Sequence, residues 1–304
     1  MDATTAWLLE GDPAIRWQTR RDLLHEDDPA VAADRDRVEQ EGWGARLLDR
    51  QDPGGTWGGA VWKQREWDAT DDTVLLLALL GARGPRTDAA IDRVASGVDW
   101  GEEWGRNPFF RGEEEPCING RVLTAAAAFG RADDLTVELI LSQQQDDGGW
   151  NCYARSPGDP GSFNSTICVI EGLAAYRDGG GTIDVAEPLR RGQEYLLERR
   201  LLRRRSTGEL VDEAFLRFAF PYYWHYDVLR GLDHLRASGA AFDDRAAEAV
   251  SVVADARGAD GRWVLDATFP GDVAVKLERV GEASRWITLR ALRVLEWAGV
   301  QSGA

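Results

Sequence analysis

Three loops built on glycine and tryptophan recur along this chain, each closing one helical stretch and opening the next. They read QDPGGTW (51–57), QQQDDGGW (143–150) and ARGADGRW (256–263). Behind the first two comes a segment of similar layout: polar residues at its start, then Val, Leu, Ile and Ala, then a glycine-containing stop. A repeat of this length is one supersecondary unit that cannot bury its apolar face alone, so successive units must stack on one another.

Superposing apolar cores aligns six segments: 14–24, 68–81, 117–130, 164–176, 224–235 and 285–297. Taking Leu80, Phe129, Tyr176, Leu235 and Trp297 as matching points, the steps are 49, 47, 59 and 62 residues. Each step leaves room for one further helix and two loops. Those intervening helices are predicted over 42–50, 88–98, 135–144, 188–203 and 244–257. The aligned set is smooth, as in TVLLLALLG and VLTAAAAFG, which predicts burial on most sides. The intervening set carries charge, as in LRRGQEYLLERRLLRRR. Smooth helices inside and charged helices outside describe a ring of helical hairpins, read here as one all-α domain over 1–304. If the smooth helices run parallel, their N-termini converge on one mouth, where the helix dipoles favour anions or carboxylates.

Composition limits the partners. A formal charge of −16 opposes nucleic acid as a main partner. No run approaches the roughly 18 apolar residues that span a bilayer. The N-terminus MDATTAWLLEGDPAIRW lacks a basic start, so no signal peptide is expected. Three cysteines, an odd number, argue against a disulfide framework and fit a reducing cytoplasm.

At this point the residues resemble a known group. The Q-x-x-x-G-G-x-W loops resemble the QW repeats of squalene and oxidosqualene cyclases. The alternating helices resemble the α/α toroid shared by those cyclases and the β subunits of protein prenyltransferases. The third loop departs, with Arg257 near where glutamine would stand. A single toroid, including the segment PYYWHYDVLRGL, also resembles bacterial and archaeal proteins described as squalene-cyclase-like or prenyltransferase-like. The resemblance implies about six inner and five to six outer helices around a central cavity for a hydrophobic, isoprenoid ligand. Its implied activities are acid-initiated terpenoid cyclisation or isomerisation, zinc-dependent prenyl or alkyl transfer, and non-catalytic binding of a ligand or protein.

WDATDDTVLLLAL (67–79) resembles the cyclase acid motif, Asp-x-Asp-Asp-Thr before an apolar helix. Asp71 matches the middle aspartate, the proton donor of class II terpene cyclases, and Asp72 matches the third. Ala69 stands where the first would be, with Asp68 one position early. Adjacent carboxylates can divide roles, one kept protonated by its neighbour's charge, while Asp68 also suits a helix N-cap. Cys117, Cys152, Cys168 and His225 all fall near the starts of inner helices, so they form a candidate zinc set. Trp62, Trp67, Phe110, Tyr222, Tyr223, Trp224, Tyr226 and Trp286 gather beside these positions. Their rings suit either a carbocation or an apolar tail, and loop packing would use the same residues.

Overall fold

The computed structural model describes residues 1–300. The first helices are α1 (Ala3–Leu9), α2 (Pro13–Asp22), α3 (Asp28–Asp36) and α4 (Gly42–Leu48), followed by α5 (Thr70–Leu80), α6 (Pro85–Gly97) and α7 (Pro116–Ala128). Then come α8 (Asp134–Ser142), α9 (Phe163–Asp178), α10 (Ala186–Glu198), α11 (Val228–Ala237), α12 (Ala247–Asp255) and α13 (Arg285–Trp297). Among the described residues, strand pairing is confined to isolated bridges. The starts follow from the sequence. Asp2, Asp12, Ser162, Asp227 and Ser284 each accept a first-turn backbone N–H. Proline opens α2, α6 and α7 and is second in α3, where its missing N–H costs nothing.

The fold is an α/α toroid. Helices α2, α5, α7, α9, α11 and α13 form the inner ring, and α1, α4, α6, α8, α10 and α12 lie outside it. Inner α5 buries every residue from Thr70 to Leu77, whereas outer α10 buries only Leu189, Gly192, Tyr195 and Leu196. For this pair the contrast is the predicted one, but inner α2, α11 and α13 carry more charged residues than outer α8 does.

Each of the six inner interfaces has an identifiable tie. Trp17 Nε1 and Gln18 Nε2 donate to the carbonyls of Leu80 and Leu79, joining α2 to α5. Arg121 of α7 reaches Asp71 and Asp72 of α5. Between α7 and α9 the backbones touch: a Cβ on Gly120 would meet the Cys168 carbonyl at 2.4 Å, and one on Gly172 would meet the Gly120 carbonyl at 2.5 Å. Glu171 of α9 pairs with Arg230 of α11 at 2.6 Å, and Asp233 of α11 pairs with Arg290 of α13 at 3.1 Å. Arg293 then closes the ring from α13 to Asp22 of α2 at 3.0 Å.

The Gly–Trp loops lock outer helices to inner ones. Trp57, Trp150 and Trp263 are at most 1 % exposed. Their indole N–H groups donate to the carbonyls of Leu47, Ile140 and Val253 at 2.7–2.8 Å, each ten residues earlier on an outer helix. Their backbone N–H groups donate to Thr70, Thr166 and Thr288 on the inner helix that follows, at 2.9–3.1 Å. Gln51 and Gln144 extend the tie to the next outer helix, donating to Ala90 and Pro188 carbonyls at 2.9 Å. In the third loop Arg257 instead lies over the Trp263 ring, 5.5 Å from its centroid.

Two expected helices end differently. The segment 224–235 begins its helix only at Val228, because Asp227 is the cap and Tyr223 sits at φ +47°. His225 is therefore in the loop before α11, not inside the helix. The segment 188–203 stops at Glu198, since Arg200 and Leu201 both adopt positive φ.

Candidate functional site

The start of α5 is unusual for a helix so apolar. Its first N–H groups are satisfied by the preceding loop, with Thr70 N donating to the Ala60 carbonyl at 3.1 Å and Asp71 N to that of Val61 at 3.0 Å. Ala69 occupies the N-cap position and no side chain caps the helix, so Asp68 is not the cap its position suggests. Asp68 instead accepts from Lys63 Nζ at 2.9 Å, half-buried. Asp71 and Asp72 are enclosed, their side chains only 2 % and 3 % exposed.

One arginine serves both carboxylates. Arg121 Nη2 donates to Asp72 Oδ1 and lies 3.1 Å from Asp71 Oδ2. Neither Asp71 oxygen has a hydrogen-bond partner. Burial pushes the Asp71 carboxyl above its ordinary range. It pushes Asp72 well above, and the Asp71 charge adds to that. A single guanidinium faces two buried carboxylates, so the protonation of each acid depends on the other and the pair titrates as a unit. The sequence reading missed Arg121. Its signal was a lone arginine within the apolar run that starts at Cys117.

An aromatic lid stands beside this pair, close enough that the Asp72 charge, after burial, pushes the Tyr223 hydroxyl up. Trp67 stacks on Tyr223 with centroids 4.3 Å apart, and His225 is stacked between Trp224 at 3.7 Å and Phe269 at 3.5 Å. Trp67 Nε1 donates to the Pro270 carbonyl at 3.0 Å, and its backbone N–H donates to Asp272 O at 2.7 Å. The long loop between Trp263 and α13 is thereby tied across the mouth. Burial lowers His225 to about 3, so its imidazole is neutral, and its Nδ1 lacks a partner.

Beside the lid lies a cavity of about 530 Å³ whose walls include Phe215, Tyr222, Trp224, His225, Tyr226 and Phe269. This volume suits a small-molecule ligand. Between inner helices stand the pairs Arg230–Glu171 and Arg290–Asp233, with both arginines over the Tyr222 ring at 4.0 and 5.0 Å.

The remaining candidates divide. Tyr222, Trp224 and Tyr226 line the cavity, and Trp67 and Tyr223 form the lid. Trp62 is exposed on the surface. Phe110 packs on Phe109 with centroids 5.0 Å apart, and Trp286 stacks on Phe220 at 4.0 Å, both as core. Of the four expected zinc ligands, Cys117 and Cys152 come together, with Glu115 as a third donor that the sequence reading missed. Cys168 lies apart from that group, buried, its Sγ 3.6 Å from Arg230 Nη2 and 3.7 Å from the Trp224 carbonyl. His225 is held in the aromatic stack.

No protein-family profile matches the chain, and no curated protein sequence matches it. Among solved structures it is similar to the type II terpene cyclase MstE from Scytonema in the apo state, at 16 % identity and a TM-score of 0.47, over 98 % of this chain and 88 % of that one. It is also similar to a variant of the same cyclase in complex with its substrate geranylgeranyl dihydroxybenzoate, at 15 % identity and a TM-score of 0.47, over 97 % and 86 % of the two chains.

Proposed function

We propose that this toroid binds an apolar, isoprenoid-class ligand at its aromatic mouth and protonates it from the Asp71–Asp72 pair. The observation that carries this reading is the charge imbalance beside the lid: two enclosed carboxylates face one arginine, and burial raises both carboxyls above the ordinary range. The motif 67–79 supports the same assignment, since Asp71 stands where the cyclase acid motif has its proton donor. In the reaction, an alkene π pair takes the proton of the Asp71 carboxylic acid to form a C–H bond and leaves a carbocation. The carboxylate left behind stays paired with Arg121. Rings such as Trp67, Tyr223 and Phe269 present faces that stabilise the cation, and enclosure keeps water from capturing it. A neighbouring alkene then closes the ring, and loss of a proton ends the sequence. Because Asp71 is enclosed, the lid loop must shift for the ligand to reach it.

The test is incubation of purified protein with linear polyprenyl substrates, followed by mass-spectrometric analysis of products. Asp71→Asn should lower turnover at least about a hundredfold, the scale of a lost general acid. Binding, read from tryptophan fluorescence, should persist. Full activity in Asp71→Asn would overturn the assignment.

A further inference from the structure

The Gly–Trp loop that ends at Trp150 delivers Cys152 to the first turn of α7, and this juxtaposition has no part in the acid chemistry above. One oxygen of Glu115 and the sulfurs of Cys117 and Cys152 all lie within 4.8 Å of one another. We propose that these three side chains bind a thiophilic divalent cation, with zinc as the species to test.

The three donors are fixed by separate devices. Glu115 is the residue before α7, and its backbone N–H donates to Glu113 Oε1 at 2.6 Å. Cys117 sits in the first turn of α7, its Sγ 3.8 Å from Glu115 Oε2. Cys152 is held from behind: its backbone N–H donates to Ser165 Oγ at 3.3 Å, and its Sγ lies 3.3 Å from the same oxygen. Two residues earlier, Trp150 is clamped to Ile140 and Thr166. Two sulfurs on one tetrahedral zinc stand about 3.8 Å apart, from bonds near 2.3 Å. Closing the triad on an ion therefore needs shifts of about 1 Å at most, within the reach of side-chain rotation.

The chemistry favours a soft cation. Two thiolates and one carboxylate suit zinc far better than magnesium or calcium, which prefer all-oxygen sets. Glu115 is exposed and both cysteines are partly so, which leaves an entry path and a fourth position for water or substrate. Three protein ligands with one open position is the arrangement of reactive zinc sites, whereas structural sites are closed by four. Cys117 and Arg121 are one helical turn apart on α7, so the ion would stand on the same helix face as the arginine that serves Asp71 and Asp72. Cys168, although nearby in the ring, is engaged by Arg230 and lies outside the set.

The experiment uses full-length protein, reduced and stripped of metal under anaerobic conditions. Cobalt(II) added as a spectroscopic stand-in should give thiolate-to-metal charge-transfer absorption at one equivalent, and zinc should bleach it. Cys117→Ser and Cys152→Ser should each abolish the band, Glu115→Gln should retain it with weaker zinc binding, and Cys168→Ala should leave it intact. Zinc should raise the thermal midpoint of wild-type protein and not of the two serine variants. Their metal-free midpoints and circular dichroism, matched to wild type, would show that the variants still fold. Absence of stoichiometric binding by the reduced protein would overturn the proposal, as would a band that survives both serine substitutions or vanishes in Cys168→Ala.

Discussion

Asp72 and Arg121 face each other across two helices otherwise rich in Val, Leu, Ile and Ala, and Asp71 adds a second carboxylate to the same pocket. Removing Arg121 would leave both acids without a counter-charge, so Arg121→Leu should cost about 3–5 kcal/mol in urea denaturation. The sign of the pH effect follows from the raised carboxyls. Below the ordinary aspartate value of about 3.9, folded and unfolded chains are both protonated and no penalty arises. As pH climbs above it, the unfolded chain releases its proton first and the folded chain binds more protons, so stability falls. Asp72→Asn removes the more strongly raised carboxyl and keeps an acceptor for Arg121. Its stability should decline less steeply than wild type as pH rises above about 4. Parallel slopes for the two proteins would show that the pair is not the source.

At the scale of elements, α7 and α9 pack more closely than any rule of apolar burial demands. Gly120→Ala should gain helix propensity of about 1 kcal/mol. It should lose more, because the new methyl meets the Cys168 backbone carbonyl rather than a movable side chain. The expected net cost is about 1–3 kcal/mol, measured by equilibrium unfolding; an unchanged or raised stability would mean that the two helices are free to separate. The same scale shows what a sequence can carry. The clasps of Trp57, Trp150 and Trp263 were legible because glycine, tryptophan and the helix ten residues back lie in one local pattern. Inner helices α5, α7 and α9 were legible through their smooth apolar runs, whereas α2, α11 and α13 carry several charges and emerged only by alignment; α11 starts late because Asp227 caps it and Tyr223 turns the backbone. The lid was not legible. Phe269 belongs to a loop without periodicity, and it meets Trp67 and His225 only through the ring. Arg121, Arg230 and Arg290 were passed over for a related reason: a charged residue in an apolar helix signals a partner, yet which partner depends on ring order. Glu115 escaped notice because its neighbour Cys152 arrives from another repeat.

Closure is what makes the whole molecule a ring rather than a row of hairpins. A row has two frayed ends, whereas here the last inner helix returns to the first inner one. Arg293 of α13 donates to Gln18 Oε1 at 3.2 Å and to Asp22 Oδ2 at 3.0 Å, residues more than 270 positions away. On its other side Arg293 Nε donates to Asp233 at 2.8 Å, and the surrounding arginines hold that carboxyl far below the ordinary range despite its burial. One guanidinium therefore joins α11, α13 and α2. Replacing it with leucine leaves buried Asp233 and half-buried Asp22 each short of a partner, at a cost of about 3–5 kcal/mol. Its location determines how that cost is expressed. Contacts between neighbouring hairpins persist elsewhere, so the ring should open at this seam before the rest unfolds. In Arg293→Leu, amide hydrogen exchange should accelerate in α2 and α13 together, at opposite ends of the sequence, while α7 and α9 keep their protection. Acceleration confined to α13 would show that α2 is held without the seam, and uniform acceleration across all six inner helices would show that the toroid unfolds as one unit.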